Sequence, residues 1–352
     1  MATLHDNHRN IVVIGASAGG LEAILNVVRT IPPDAPLAIF IVQHIPPYAK
    51  SHLDKVLQNH TDLVCKAAQD GEVIRPGTIY VACPDRHLLV EENRVVVSKG
   101  PRENRFRPAV DTLFRSAAYT FRERVVGVVV SGALNDGTSG MWSIKRYGGT
   151  SIVQDPDEAM FPDMPRGVMH YATADYVLPS QEIGQKLVEL AGLPIEVAEE
   201  QPQVKHSKLH EIEIEIAKGK NGLNMGIIEH GEPSPLACPE CHGALTQFQE
   251  GNLLRYRCHT GHAHTADSLL ASIKDNVEKS MWEVMRGIEE SNILLSRMSK
   301  KMKADGQIKD AEQYSIQAQV LQQQAVEMQR IIENTDLSEE GAVINNGKRI
   351  SF

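Results

Sequence analysis

The strongest constraint in the sequence is a run of small residues, Gly15-Ala16-Ser17-Ala18-Gly19-Gly20, placed directly after the apolar, β-branched segment Ile11 to Ile14. An apolar run that passes through glycines into an amphipathic segment, here Leu21 to Thr30, specifies a strand, a tight turn and a helix. Residues 15 to 19 spell G-x-S-x-G. Such a turn pushes a serine hydroxyl out of the sheet end and leaves the next N–H at a helix start, aimed at a developing oxyanion. A glycine-rich phosphate turn occupies the same place in dinucleotide-binding sheets, so the motif alone admits both readings. Against the second, Ser17 stands where the middle glycine must let pyrophosphate approach, and no Tyr-x-x-x-Lys occurs in the chain.

Further along, β-branched runs alternate with amphipathic segments. Leu37 to Val42, Val125 to Val130 and Ser151 to Val153 read as strands, with a helix at Val110 to Phe121. This is the rhythm of a doubly wound, mainly parallel α/β sheet. Between Val64 and Val97 the punctuation by Gly71, Gly77 and Glu91-Glu92-Asn93 predicts a β-hairpin insertion. A strand at Tyr176 to Leu178 and a helix at Gln181 to Leu190 close a first domain of residues 1–195.

Two further groups fall at strand ends of that sheet. The strand Leu37 to Gln43 runs into His44, and Val125 to Val130 runs into Ser131-Gly132-Ala133-Leu134-Asn135-Asp136-Gly137. In a parallel sheet, side chains just beyond neighbouring strand ends share one edge, where a serine, a histidine and an acid make a nucleophile, a base and its orienting group. Fourteen histidines make a single one weak testimony, and Asp136 also suits the N-cap of a helix over Thr138 to Tyr147.

Several separated motifs now resemble the catalytic domain of the chemotaxis methylesterases, the CheB family, over roughly residues 10 to 193. They are GASAGG with Leu21-Glu22-Ala23-Ile24, QHIPP at 43 to 47, Asn104 to Asp111 as N-R-x-R-P-x-V-D, SGALNDG, and Met164-Pro165-Arg166. The resemblance implies a catalytic triad of Ser17, His44 and Asp136, working without a cofactor. It implies backbone N–H groups of Ala18 and Ala133 at the oxyanion, although Ala133 stands where the family often has methionine. It implies a substrate of methylated glutamate on the cytoplasmic helices of chemoreceptors, with glutamine deamidation by the same acyl-enzyme chemistry. The alternative is a signalling adaptor that uses the esterase fold as a binding scaffold. Family members usually carry an N-terminal receiver domain. Here about ten residues precede the first strand, so control is expected from the C-terminal half or a partner.

That half divides into a linker at 196–235, a cysteine-rich module at 236–268, a helical hairpin at 269–335 and a flexible tail at 336–352. The Glu211 to Ile216 alternation within the linker reads as one exposed strand or a docking segment. Cys238, Cys241, Cys258 and His262 follow C-x2-C-x16-C-x3-H, a spacing that suits a closed, structural Zn²⁺ site of zinc-ribbon type. His242, His259 and His264 compete with His262 for the fourth position. In the long helical stretch Val277, Met281, Val284, Ile288, Leu295, Met298 and Met302 form one seam, interrupted by Ser291. Ala311, Tyr314, Leu321, Met328 and Ile332 form the facing one of an antiparallel hairpin, two helices packed separately on the first domain being the equal alternative, and a signalling partner or the enzyme itself is expected to dock there.

Composition narrows the remaining classes. The 352 residues are 42% hydrophobic and 23% charged, enough for a sizeable core. A formal net charge of −9 argues against nucleic-acid binding. No apolar run reaches the ~18 residues of a membrane span, and the polar start does not resemble a signal peptide. The expected location is cytoplasmic. Five cysteines, three of them clustered, fit a metal site better than a disulfide framework.

Overall fold

A computed structural model describes residues 7–195 and 207–334. The expected tail at 336–352 and the first part of the expected linker lie outside the described residues. The chain divides at Leu269/Leu270 into two compact units.

In the first unit the predicted alternation becomes a seven-stranded sheet in the order β3-β4-β2-β1-β7-β8-β9, with every strand pair parallel. In chain order its elements are β1 (Ile11–Ala16), α1 (Gly20–Arg29), β2 (Ala38–Gln43), α2 (Leu53–Gln58), β3 (Val64–Ala67) and β4 (Thr78–Val81), then the hairpin β5 (His87–Glu91) and β6 (Arg94–Ser98). There follow α3 (Val110–Phe121), β7 (Val125–Val129), α4 (Thr138–Arg146), β8 (Thr150–Gln154), α5 (Asp163–Tyr171), β9 (Tyr176–Leu178) and α6 (Ser180–Gly192). Only β5 and β6 form the predicted insertion, because β3 and β4 join the main sheet.

The central strand β1 is fully buried, and its two faces supply two separate cores. Ile11 and Val13 pack with Phe40, Phe114, Met141 and the hairpin's Leu88. Val12 and Ile14 pack with Ile24, Val27, Ile183 and Leu187 from α1 and α6. Alternate side chains of a strand point to opposite faces, so an unbroken apolar run marks a sheet covered on both. The chain leaves β1 towards β2 on one side and β7 on the other, which opens a crevice at the carboxyl ends of these three strands.

The Glu211 to Ile216 run is not an exposed strand. It lies in helix α7 (Lys208–Ala217), where Ile212 and Ile216 are buried and Glu213 is 1% exposed. A second sheet follows, of β10 (Glu232–Ala237), β11 (Ala244–Glu250), β12 (Leu253–Cys258) and β13 (Ala263–Thr265), antiparallel throughout. Three carboxylates and three guanidiniums join α7 and this sheet to the α/β layer. Arg115 pairs with Glu103 at 3.1 Å and Glu213 at 3.3 Å. Arg257 pairs with Glu103 at 2.7 Å and Glu213 at 2.9 Å. Arg255 pairs with Glu213 at 2.7 Å and also with Glu250. All six are buried, and the opposed charges cancel. The period-2 reading failed because the glutamate that a strand would expose is held inside by arginines distant in sequence.

The second unit is the predicted antiparallel hairpin of α8 (Ala266–Ala304), which begins within the first unit, and α9 (Ile308–Asn334). Gly306 turns the chain at φ 78°. The α9 seam includes Ala311, Ala318 and Ala325, all buried. In α8, Met281, Ile288, Leu295, Met298 and Met302 of the expected seam are half-buried and Met285 is buried beside them, whereas Val277 and Val284 are exposed. Polar bonds also cross the pair, from Asn292 to Gln322 at 2.6 Å and from Ser299 to the Ala311 carbonyl at 2.8 Å. Among the described residues no helix is long and apolar enough to cross a membrane.

On α7, His210 is buried beside the Tyr147 hydroxyl at 3.2 Å, and burial pulls its pKa down to about 3. The unfolded chain takes up that proton near the ordinary value of about 6.5. Stability from this group is therefore present above about pH 6.5 and is lost progressively as pH falls towards 3, by up to about 1.4 kcal/mol per pH unit. In urea titrations between pH 6.5 and 5, wild type loses stability with falling pH and His210→Phe shows a shallower slope.

Candidate active site and metal centre

The three strand-end residues converge in the crevice beside β1. Ser17 follows β1 directly, and its N–H donates to the Ser131 carbonyl at 3.0 Å, tying the turn to the loop after β7. Gly19, at φ 68°, completes the turn into α1. On the other side the His44 N–H donates to the Ala16 carbonyl at 3.0 Å, fixing this residue one step beyond β2. His44 Nδ1 lies 3.0 Å from Ser17 Oγ, and its Nε2 lies 2.8 Å from Asp136 Oδ2. An ionised carboxylate only accepts, so Nε2 carries the ring proton and Nδ1 presents its lone pair to the Ser17 hydroxyl.

Asp136 is 1% exposed. Besides His44, its Oδ2 accepts the Val110 N–H at 2.7 Å. Its Oδ1 accepts from Asn104 Nδ2 at 2.8 Å, the Gly137 N–H at 3.0 Å and the Asp111 N–H at 3.2 Å. Two of these donors are first-turn N–H groups of α3, which point at an anion. Burial alone would raise the Asp136 pKa, but the bonds and charge from His44, with those from Asn104 and Val110, hold it below the usual carboxylate range. Asp136 therefore serves the N-terminus of α3, and the residue at the N-cap of α4 is Gly137. Nearby Asp111 is pushed up to about 8, first by burial and then by the Asp136 charge, leaving Asp136 the ionised member of the pair.

Asn104, Phe106 and Asp111 carry no individual role in the sequence reading, although all three stand in the Asn104 to Asp111 segment. Phe106 stacks on the His44 ring, with centroids 3.7 Å apart and planes 10° apart. A groove of about 700 Å³ runs from Ser17 and His44 along Leu21, Leu25, Arg29 and Met160. A second recess of about 390 Å³, on the Phe106 side, is flanked by Arg102 and Arg107.

Ala18, one of the two expected oxyanion donors, is exposed beside Ser17, and Ala133 follows Gly132. Among the described residues neither N–H donates to another group of the chain. Gly132 itself packs against Ser17.

The other predicted cluster also forms. Donor atoms of Cys238, Cys241, Cys258 and His262 all lie within 4.8 Å of one another. Cys258 Sγ is 3.6 Å from Cys241 Sγ and 3.6 Å from His262 Nδ1. Zn–S bonds of about 2.3 Å and Zn–N bonds of about 2.0 Å give tetrahedron edges of about 3.5–3.8 Å, so this donor set fits zinc. His242, His259 and His264 fall outside the group.

Comparison with known proteins places these features in context. A family model described as CheB methylesterase matches residues 12–187. A Thermotoga maritima protein named protein-glutamate methylesterase/protein-glutamine glutaminase is 38% identical over 184 residues, covering 51% of this chain and 54% of that relative. A Leptospira interrogans protein, named as a putative enzyme of the same kind, is 36% identical over 180 residues, covering 51% of this chain and 93% of that relative. The crystal structure of the Thermotoga maritima CheB methylesterase catalytic domain aligns with a TM-score of 0.50 at 37% identity, covering 51% of this chain and 98% of that one. The match thus spans about half the length of the Thermotoga relative and nearly all of the Leptospira one.

A methyl group on Gly132 would lie 2.0 Å from the Met164 sulphur and 2.8 Å from Ser17 Cβ. Displacing a nucleophile by a fraction of an ångström is costly. In Gly132→Ala, phosphonylation of Ser17 by a fluorophosphonate probe is expected to slow by at least about tenfold, measured by intact-protein mass spectrometry.

Proposed function

This chain belongs to the CheB methylesterase family, and from that membership we propose that it hydrolyses glutamate methyl esters on chemoreceptor helices in the cytoplasm. The observation that carries the proposal is the unbroken hydrogen-bonded line from Ser17 Oγ through His44 to Asp136, at 3.0 and 2.8 Å.

In this mechanism His44 Nδ1 takes the Ser17 proton as Oγ attacks the ester carbonyl. The resulting oxyanion is held by the Ala18 and Ala133 N–H groups, each worth about 3 kcal/mol in a typical hole. Asp136 stabilises the imidazolium without taking its proton. His44 then protonates departing methanol, activates water against the acyl-enzyme, and the released product is the glutamate carboxylate. A glutamine side chain would pass through the same acyl-enzyme with ammonia as the leaving group. No cofactor enters the chemistry.

We also propose that Cys238, Cys241, Cys258 and His262 hold a structural Zn²⁺. Four protein ligands leave no open position for substrate, so the ion would close the fold of the small module.

Methanol release from a methylated receptor tests the first proposal. Ser17→Ala is expected to abolish it, and Asp136→Asn to reduce kcat about 10⁴-fold. Equal rates in wild type and Ser17→Ala would end the esterase reading and leave a scaffold role. For the second, purified full-length protein should contain about one equivalent of zinc. Less than about half an equivalent in chelator-free preparations would overturn it, and Cys241→Ser should lower both zinc content and melting temperature.

A further inference from the structure

We infer that the segment from Ala263 to Ser268, at the exit of the cysteine-rich module, positions the triad acid by orienting the Asn104 amide. The inference rests on the esterase reading for its consequence in turnover. It rests on geometry for its content.

Asn104 is 3% exposed and all of its amide is committed. Its Nδ2 donates to Asp136 Oδ1 at 2.8 Å and to Asp111 Oδ2 at 2.7 Å. Its Oδ1 accepts the Thr265 N–H at 2.9 Å and the Ser268 hydroxyl at 3.1 Å. A flipped amide would turn its oxygen onto the ionised Asp136 carboxylate and its N–H groups onto the Thr265 N–H. Thr265 and Ser268 therefore select the orientation that places two donors between Asp136 and Asp111.

The backbone is held at the same point. The Asn104 N–H donates to the Ala263 carbonyl at 2.8 Å and the Ala263 N–H to the Arg102 carbonyl at 3.2 Å. Asn104 and Arg105 sit at φ 49° and 77°, a left-handed pair that needs such fixing. Thr265 Oγ1 also donates to Asn135 Oδ1 at 2.6 Å, and Asn135 Nδ2 to Asp267 at 2.7 Å, so the residue before Asp136 is gripped by the same segment. Cys258 and His262 bracket the turn that delivers β13 to this place.

Asn104 lies within the residues matched by the family model, whereas Ala263 to Ser268 lie beyond them. The segment is thus this chain's own support for a shared site. Thr265 and Ser268 make no hydrogen bond to Ser17, and their role is positioning.

The test uses the full chain with Thr265→Val and Ser268→Ala combined, which removes the Ser268 bond to Asn104 and the Thr265 bond to Asn135 and leaves the Thr265 N–H on Asn104. Three measurements are needed: methyl-ester hydrolysis against pH, the low-field proton resonance of His44 Nε2–H, and the melting temperature. The charged and titratable groups facing Asp136 are His44, Asp111 and His87. The expected result is kcat at least tenfold lower with KM unchanged, an acid limb moved to higher pH, and a shifted His44 resonance, at a melting temperature close to wild type. Unchanged kcat, pH profile and resonance would overturn the inference. Should the double variant fail to fold, Ser268→Ala alone is read by the same three measurements. If wild type itself releases no methanol, the esterase reading fails, and the resonance still decides whether this segment positions Asp136.

Discussion

A single ionised carboxylate, that of Asp136, dictates much of the arrangement around it. A charge removed from water costs several kcal/mol unless donors replace its hydration. Here the replacement comes from the first turn of α3, the N–H of Gly137, the amide of Asn104 and the ring of His44. Each donor belongs to a different stretch of chain, so the acid can be satisfied only when α3, the loop after β7 and the loop after β2 have all docked. The triad is in this sense a product of completed folding at one edge of the sheet. It also explains why α3 directs its N-terminus at the crevice, where an anion gains from the helix dipole.

A second set of charges performs a different task. Glu103, Glu213 and Glu250 meet Arg115, Arg255 and Arg257 in the interior, with no net charge. Buried ion pairs of this kind add little stability compared with apolar packing, yet removing one partner is strongly destabilising. They tie α7 and the β10–β13 sheet to the α/β layer at Glu103 and Arg115. Ser139 in α4 donates to Glu250 at 2.7 Å and extends the network to the element that follows Asp136. The small sheet and the triad therefore share a framework.

The sequence was legible where one-dimensional pattern and three-dimensional position coincide. Ser17, His44 and Asp136 stand just after β-branched runs, and parallel strands bring such positions to one edge without further information. The cysteine spacing is local and was legible for the same reason. What failed was whatever depends on distant partners. Glu213 looks solvent-facing until Arg115, Arg255 and Arg257 surround it, and the alternation around it then belongs to a helix. In the hairpin most of the expected seam faces inward, but Val277 and Val284 do not, and the inward Asn292 and Ser299 bond to Gln322 and Ala311, partners that exist only once the second helix is present. Asn104 and Phe106 were visible as a motif, but their functions are defined by Thr265, Ser268 and His44.

The way His44 is held constrains how any ester must approach. Its Nε2 is committed to Asp136 and one ring face is covered by Phe106 at 3.7 Å, so the ring has no freedom to turn between half-reactions. In the proposed esterase mechanism the nitrogen that accepts the Ser17 proton would therefore be the one that protonates the leaving group and later activates water. Leaving alcohol and attacking water would then use the same side of the acyl carbon, one after the other. Nδ1 faces Ser17, where the groove lined by Leu21, Leu25 and Met160 begins. The recess on the Phe106 side is lined by Ser17 and His44 as well, so the crevice has two openings onto the same serine, with Arg102 and Arg107 along one of them.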